Sequence, residues 1–298
     1  MRLRPSWCWI QLLGAHLPDC GYLQRKDPEL GERATSKTDV TCRHCPAEPV
    51  LGGTVPSRLS LWLMRMTSDK RPTIRTEVGC GVLAAPMFIT AFTAIGANRP
   101  GYDWRRDPVS SLGIGEQGWP QRANFGLAGV LYLLAALGLR QCPRRSVGPR
   151  AVPALVAAAG VGLIGSGLFV TDPVGEFPPV VPGEDGAEGS IPPEPARTRA
   201  GRLHNLSAIP IFAGLPVAAL ASAFGAVRHG NVRWASYSAC SGVGMVASFV
   251  AFGAAFGPGQ LVTGRGGVFQ RICVACGFGW ITVLSLRALS ALRRPESD

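Results

Sequence analysis

Charged side chains are scarce in this chain. Asp, Glu, Lys and Arg make up 16% of its 298 residues, where a water-soluble domain carries roughly a quarter. With 47% hydrophobic residues beside that deficit, an ordinary soluble fold is excluded and lipid is indicated as the solvent. Acid is scarcer than base, 19 against 30, for a net charge of +11. That excess raises nucleic acid as a partner, but the Lys and Arg residues fall in short clusters between apolar runs rather than along one face. Nucleic acid is therefore not expected. Histidine is limited to four. His16 and His44 lie in the first 65 residues, and His204 and His229 stand at the two ends of one apolar run. Their separation is about 37 Å at roughly 1.5 Å per helical residue, too far to ligate one haem iron. Nine cysteines show no framework spacing. Cys42-Arg-His-Cys45 has the spacing of half a zinc knuckle without a second pair, and Cys273 with Cys276 reads as packing within a span. No metal and no cofactor is expected.

What the chain does have is six long apolar runs. They cover approximately Val78 to Ala97, Arg122 to Leu139, Val152 to Thr171, Ser207 to Val227, Trp234 to Gly257 and Val268 to Leu289. About 20 apolar residues cross a hydrocarbon core roughly 30 Å thick. Inside it every backbone N–H must be satisfied within its own helix or a closed barrel, and barrel strands would be shorter and alternating. The fold class implied is all-α, a polytopic membrane protein with a six-helix transmembrane bundle. Residues 66–292 form that domain. Residues 1–65 read as a weakly ordered N-terminal extension, or as the product of a start assigned too far upstream, with Met64 and Met66 as further candidate starts. Residues 293–298 form a basic and polar tail.

Lys and Arg in the loops set the orientation. Arg65, Lys70, Arg71 and Arg75 precede the first span, and Arg140, Arg144, Arg145 and Arg150 lie between the second and third. Arg228 and Arg233 lie between the fourth and fifth, and Arg293 and Arg294 follow the sixth. These short basic segments belong in the cytoplasm, with both termini inside and the chain in the plasma membrane. The segment from Asp172 to Leu206 is longer and acidic, and its stretch of about 176–200, rich in Pro and Gly, reads as a mobile outer loop.

Glycines at 160, 162, 165 and 167, and at 242 and 244, suit close helix packing. Pro210 and Pro216 suggest a bend in the fourth span. No Asp, Glu or Lys sits deep in a span, which argues against a proton-driven pump. Polar residues instead gather at the outer edge, from separate segments. These are Asp107, Ser110 and Ser111 in the first outer loop, Asn124 entering the second span, Asp172 leaving the third, His204 entering the fourth, and Gln270 and Arg271 opening the sixth. A base, hydrogen-bond donors and a cation at one level are what a site requires. In that reading His204 is the candidate catalytic acid/base or hydrogen-bond partner, and Arg271 an anion clamp. The other reading of the same residues is structural: Asp and Ser beside Pro act as caps and turn formers, and Trp104 and Trp119 belong to an interfacial aromatic belt.

Several of these motifs occur together in one family. The Arg-Pro-Gly-Tyr-Asp stretch from Arg99, Asp-Pro-Val-Ser-Ser-Leu (107–112), Gly118-Trp119, Asn124-Phe125, Thr171-Asp172-Pro173-Val174-Gly175 with Pro178-Pro179, Leu203-His204 and Phe269-Gln270-Arg271 resemble the domain-of-unknown-function 998 family. The resemblance covers roughly residues 78–292. It implies a six-helix bacterial integral membrane protein of a kind common in actinobacteria, and no particular chemistry. Two departures stand out: Asp107 occupies a position where His often precedes Pro-Val-Ser-Ser, and the loop from Gly183 to Ala200 is longer. The function expected is that of a multi-pass membrane protein with an outer-edge pocket for a lipid or small amphiphile. The alternatives are a membrane-embedded enzyme acting on a lipid-linked or phosphate-bearing substrate, or an uncoupled facilitator. The bilayer is the one partner implied directly.

Overall fold

The computed structural model describes residues 71–174, 177–178, 197–256 and 264–293. The N-terminal extension, the Cys42–Cys45 pair, most of the acidic loop and the C-terminal tail lie outside them. Among the described residues the fold is all-α. In chain order the elements are α1 (Arg71–Ala97), two short 3-10 turns (Val109–Gly113 and Glu116–Gly118) and α2 (Trp119–Leu139). Then follow the one-turn α3 (Arg144–Val147), α4 (Ala151–Leu168), α5 (Arg199–Ile209), a π-helical turn (Pro210–Gly214), α6 (Leu215–Arg228), α7 (Val232–Ala254) and α8 (Gly266–Arg293). Six spans result, because α5, the π turn and α6 run on as one 30-residue helix, Arg199–Arg228. Each is long and apolar enough to cross a membrane.

The helices extend past the apolar runs that reveal them. α1 begins at Arg71 rather than Val78, and the fourth span at Arg199 rather than Ser207. A helix keeps its backbone bonds intact through the polar interface, so hydropathy marks the lipid-crossing part and not the hydrogen-bonded element. In the other direction α4 stops at Leu168 and α7 at Ala254, short of Thr171 and Gly257.

Neighbours in sequence are neighbours in space. α1 packs on α2, α2 on α4, α4 on α5 and α6, α6 on α7 and α7 on α8, and α8 returns to α1 and closes the ring. One end of the bundle, the rim end, carries the segments after α1, α4 and α7. The other, the arginine end, carries the α2–α4 and α6–α7 connections and the outer tips of α1 and α8.

Phe88 of α1 is central to the interior. It lies 5.3 Å from the rings of both Phe125 on α2 and Phe278 on α8, and Phe278 meets Tyr132 at 5.1 Å. Large apolar side chains also cover the outside: Leu83 is 63% exposed, Val161 59%, Phe224 63% and Val250 64%. An apolar belt over several helices is what hydrocarbon contact demands and what water would penalise. Trp104 and Trp119 are exposed at the rim end, as a belt requires, whereas Trp234 and Trp280 are buried and stacked on each other.

Glycine permits the closest helix contact. A Cβ on Gly129 would lie 2.5 Å from the Gly160 carbonyl oxygen, and one on Gly160 would lie 2.8 Å from the carbonyl of Gly129. Cβ atoms on Gly162 and Gly165 would strike Ser207 of α5, and one on Gly167 the Arg122 carbonyl. Without a hydrophobic drive between helices in lipid, such backbone approach is a main source of affinity. Gly129→Val should therefore lower the melting midpoint of the purified protein by an amount equivalent to about 1–3 kcal/mol of overpacking. Gly126→Ala, whose new methyl would meet open space, should leave the midpoint within about a degree or two, the range of ordinary neutral substitutions. Equal shifts for the two would refute the packing role.

Candidate functional site

The segment joining α1 to α2 folds tightly onto the start of α8. Asp107, fully buried, accepts from the Asp103 backbone N–H at 2.8 Å and from Arg106 Nε at 3.1 Å. The Asp103 carboxylate accepts from the Arg105 N–H at 2.9 Å. Each carboxylate thus closes a turn on its own chain. The turn presents carbonyl oxygens to a helix N-terminus, where N–H groups have no intrahelical acceptor. Gly267 N–H donates to the Arg106 carbonyl at 2.9 Å, and Val268 N–H to that of Arg105 at 3.0 Å. Backbone here caps backbone. The approach is close enough that a Cβ on Gly267 would lie 2.5 Å from the carbonyl oxygens of both Asp107 and Trp104.

Two side chains of α8 complete the joint. Gln270 Oε1 accepts from the Val109 N–H at 2.6 Å. Arg271 donates from Nη1 to the carbonyls of Asp107 (3.2 Å) and Gly267 (3.0 Å), and from Nη2 to the Tyr102 hydroxyl (2.6 Å). Its guanidinium also lies over the rings of Phe92 and Tyr102. Burial pushes the Tyr102 phenol above its ordinary range, with the Arg271 cation pulling the other way.

Behind this joint, among the spans, lies a cavity of about 430 Å³. Phe88, Phe125, Leu163, Phe212, Phe249 and Phe278 contribute to apolar walls, and Ser110, Ser166, Thr171, His204, Asn205 and Gln270 supply the polar groups. The π turn forms part of the wall through Ile211, Phe212 and Ala213. Proline at 210 cannot offer the N–H an α-helix would give the carbonyl four residues back. The chain widens to π spacing there, the kind of irregularity that is tolerated in a span where it lines a cavity. Where Pro210 and Pro216 suggested a bend, the span has a π turn at Pro210–Gly214 and continues as one helix.

His204 is buried and places Nδ1 2.8 Å from the Phe169 carbonyl. A carbonyl only accepts, so Nδ1 carries the proton, and in the neutral ring Nε2 is the acceptor. Asp172 is committed elsewhere. Its carboxylate accepts from the Thr198 N–H at 3.1 Å and from Thr198 Oγ1 at 2.6 Å, and Thr198 Oγ1 in turn accepts from the Gly201 N–H at 2.9 Å. This carboxylate therefore supports the cap that starts α5, joining the end of α4 to the fourth span. Asn124 Nδ2 donates to the Phe88 carbonyl at 3.1 Å and to Gln121 Oε1 at 3.3 Å. Ser111 is fully buried, and its Oγ, like Gln121 Nε2, has no hydrogen-bond partner among the described residues.

Of the eight residues singled out from sequence, Ser110, His204 and Gln270 line the cavity. Asp107, Arg271 and Asp172 brace the loops around it, while Asn124 ties α2 to α1 and Ser111 is enclosed in the first 3-10 turn. Ser166, Thr171 and Asn205 join the lining without having been singled out as site residues, although Thr171 opens the motif that contains Asp172 and Asn205 directly follows His204. Gly267 carried no signal, because a glycine near a helix start does not reveal a carbonyl above it. Among the described residues no cluster of His, Cys, Asp or Glu is arranged to hold a metal ion.

Gly267→Ala should cost more than Arg271→Gln. The alanine pushes the whole turn off α8, for about 2–4 kcal/mol of lost stability counting overpacking and two lost capping bonds. The glutamine leaves two carbonyls and a hydroxyl less well satisfied, for about 1–3 kcal/mol. Thermal unfolding of the two variants checks the order, and a silent Gly267→Ala would show that the joint does not hold the rim.

Comparison with curated proteins and comparison with solved structures each returned no match. The family described as a protein of unknown function (DUF998) matches residues 82–287, more than two thirds of the chain and a stretch containing the whole α1–α2 joint, the cavity wall and the first six turns of α8, so this protein belongs to that family.

Proposed function

We propose that the cavity at the rim end binds a lipid or small amphiphile, apolar part inward and polar part against Ser110, His204, Asn205 and Gln270. The observation that carries this reading is the division of the cavity: a largely aromatic and aliphatic interior with polar groups restricted to a few points. Its volume, about 430 Å³, falls within the roughly 300–1,000 Å³ of small-molecule sites. The rim is assigned to the outer face of the plasma membrane. Among the described residues four of the five acids (Asp103, Asp107, Glu116 and Asp172) belong to the rim end, while Glu77 is the one acid of the arginine end. The orientation itself rests on the short, basic α2–α4 and α6–α7 connections, whose Arg140, Arg144, Arg145, Arg150, Arg228 and Arg233 support a cytoplasmic arginine end.

A second reading is a membrane-embedded enzyme on a lipid-linked or phosphate-bearing substrate, with His204 as acid/base. It is favoured by the fixed Nδ1 proton, which leaves the other ring nitrogen as a base. Arg271, the sequence candidate for holding a phosphate, already donates to three oxygens and does not line the cavity. This weighs toward binding.

A photoactivatable single-chain fatty acid, cross-linked to the purified protein and mapped by peptide, tests the cavity. Labelling should fall on peptides carrying Phe212 and Phe249 and drop several-fold in Ala208→Trp, which fills the space. His204→Ala should weaken affinity about tenfold, the equivalent of one hydrogen bond of roughly 1.4 kcal/mol. Labelling indifferent to both substitutions would sink the proposal. For orientation, a single cysteine replacing exposed Glu116, in a background without native cysteines, should react with an impermeant thiol reagent on intact cells. One replacing exposed Arg144 should react only after lysis, and the opposite pattern would invert the assignment.

A further inference from the structure

A second cavity, of about 770 Å³, opens at the arginine end between α2 and α4. One wall is apolar, built by Leu133 and Leu137 of α2 facing Ala154 and Ala157 of α4. Its mouth carries Arg140, Arg144 and Arg150, and the lining holds no acid. All three arginines are exposed, and none of their guanidinium groups makes a hydrogen bond or ion pair among the described residues. Three rim arginines, Arg99, Arg106 and Arg271, are by comparison committed to protein oxygens. Glu77 packs nearby, against Gly138, but its carboxylate accepts from Gln141 Nε2 at 3.1 Å and does not line the cavity. Burial raises the Cys142 thiol in this lining to about 11, so it stays neutral and cancels no positive charge.

The arginines are placed on a fixed frame. The three consecutive carbonyls of Arg145, Ser146 and Val147 are all taken: by Arg287 Nη2 at 3.0 Å, Arg287 Nε at 3.0 Å and Ser222 Oγ at 3.0 Å. Ser222 Oγ accepts in turn from Trp234 Nε1 at 3.0 Å, and Arg287 lies over the Trp234 ring. Gly148, at φ +112°, then reverses the chain into α4, a conformation that favours glycine. Arg144 and Arg150 are thereby held on either side of that reversal, with Arg140 ending α2.

We propose that this cavity binds an anionic phospholipid, its phosphate headgroup among Arg140, Arg144 and Arg150 and one acyl chain along the wall between α2 and α4. Guanidinium groups are matched to phosphate oxygens in charge and geometry. The cluster lies where two spans end, at the depth of lipid headgroups, and basic pockets between transmembrane helices are a recurrent form of anionic lipid site. Both halves of the occupant are specified, since an isolated phosphate leaves the apolar wall empty and an uncharged lipid leaves three cations unmatched.

Native mass spectrometry on the full chain in detergent, titrated with phosphatidylglycerol or phosphatidylcholine, tests the assignment. Phosphatidylglycerol should be retained preferentially, and R140Q/R144Q/R150Q should lower its occupancy at least fivefold, to the phosphatidylcholine level. R228Q/R233Q, which removes two exposed cations of the same end outside the cavity, should keep the preference. Ala154→Trp, with every arginine in place, should lose it. An equal fall in both arginine variants would reduce the effect to general charge, and unimpaired retention in Ala154→Trp would remove the acyl site. Millimolar inorganic phosphate that displaces the lipid completely would show a free-anion site. Each of these overturns the proposal. If the triple glutamine variant does not fold, Ala154→Trp and the charge-preserving R140K/R144K/R150K, which should retain most of the preference, decide the question.

Discussion

The organisation of the rim follows from a constraint that burial imposes on any non-helical segment: backbone polar groups withdrawn from water must find partners within the protein. The chain between α1 and α2 meets it by folding onto α8. Loop carbonyls accept from the first free N–H groups of that helix, Arg271 returns donors to a further loop carbonyl, and Gln270 takes up the Val109 N–H. Each side supplies what the other lacks, so neither the helix start nor the loop stands alone. The position of Ser110 at the cavity depends on this joint, as does that of Gln270.

The arginine end uses the same logic with the roles exchanged. There the short α3 offers three carbonyls, and side chains from α6 and α8 donate to them. In both places an arginine of α8 reaches backbone oxygens of a connecting segment and stacks on an aromatic ring. α8 is thus fastened near each end, and the rest of the ring packs between two fixed levels.

Much of this architecture was legible in the sequence, for physical reasons. Six spans follow from the lengths of the apolar runs, since the bilayer admits few alternatives. The glycines of α4 could be assigned to packing because small residues are what helices in lipid use to approach. The convergence of polar residues at one end could also be read, because loops of an alternating topology must share a side. What could not be read was the division of labour within that cluster. Asp107, Asp172 and Arg271 have the composition of a reactive site, yet here they satisfy turns, a cap and carbonyls. Sequence shows that such groups lie at one level, while their directions depend on the fold of the 21-residue segment 98–118 and of the chain that follows α4, neither of which has a periodic pattern. The π turn was hidden for a similar reason. Two prolines announce an interruption, and only the packing of α5 and α6 against α4 decides its form.

The glycine contacts have a consequence for how this chain can vary. Leu83, Val161, Phe224 and Val250 face outward, where one apolar shape serves about as well as another, so selection there acts on polarity and scarcely on volume. Gly129, Gly160 and Gly267 meet backbone oxygens, where even a methyl group has no place, so selection acts on volume alone. Drift over the lipid-facing surface and stasis at a few small interior residues is the pattern of substitution this bundle would impose on its descendants.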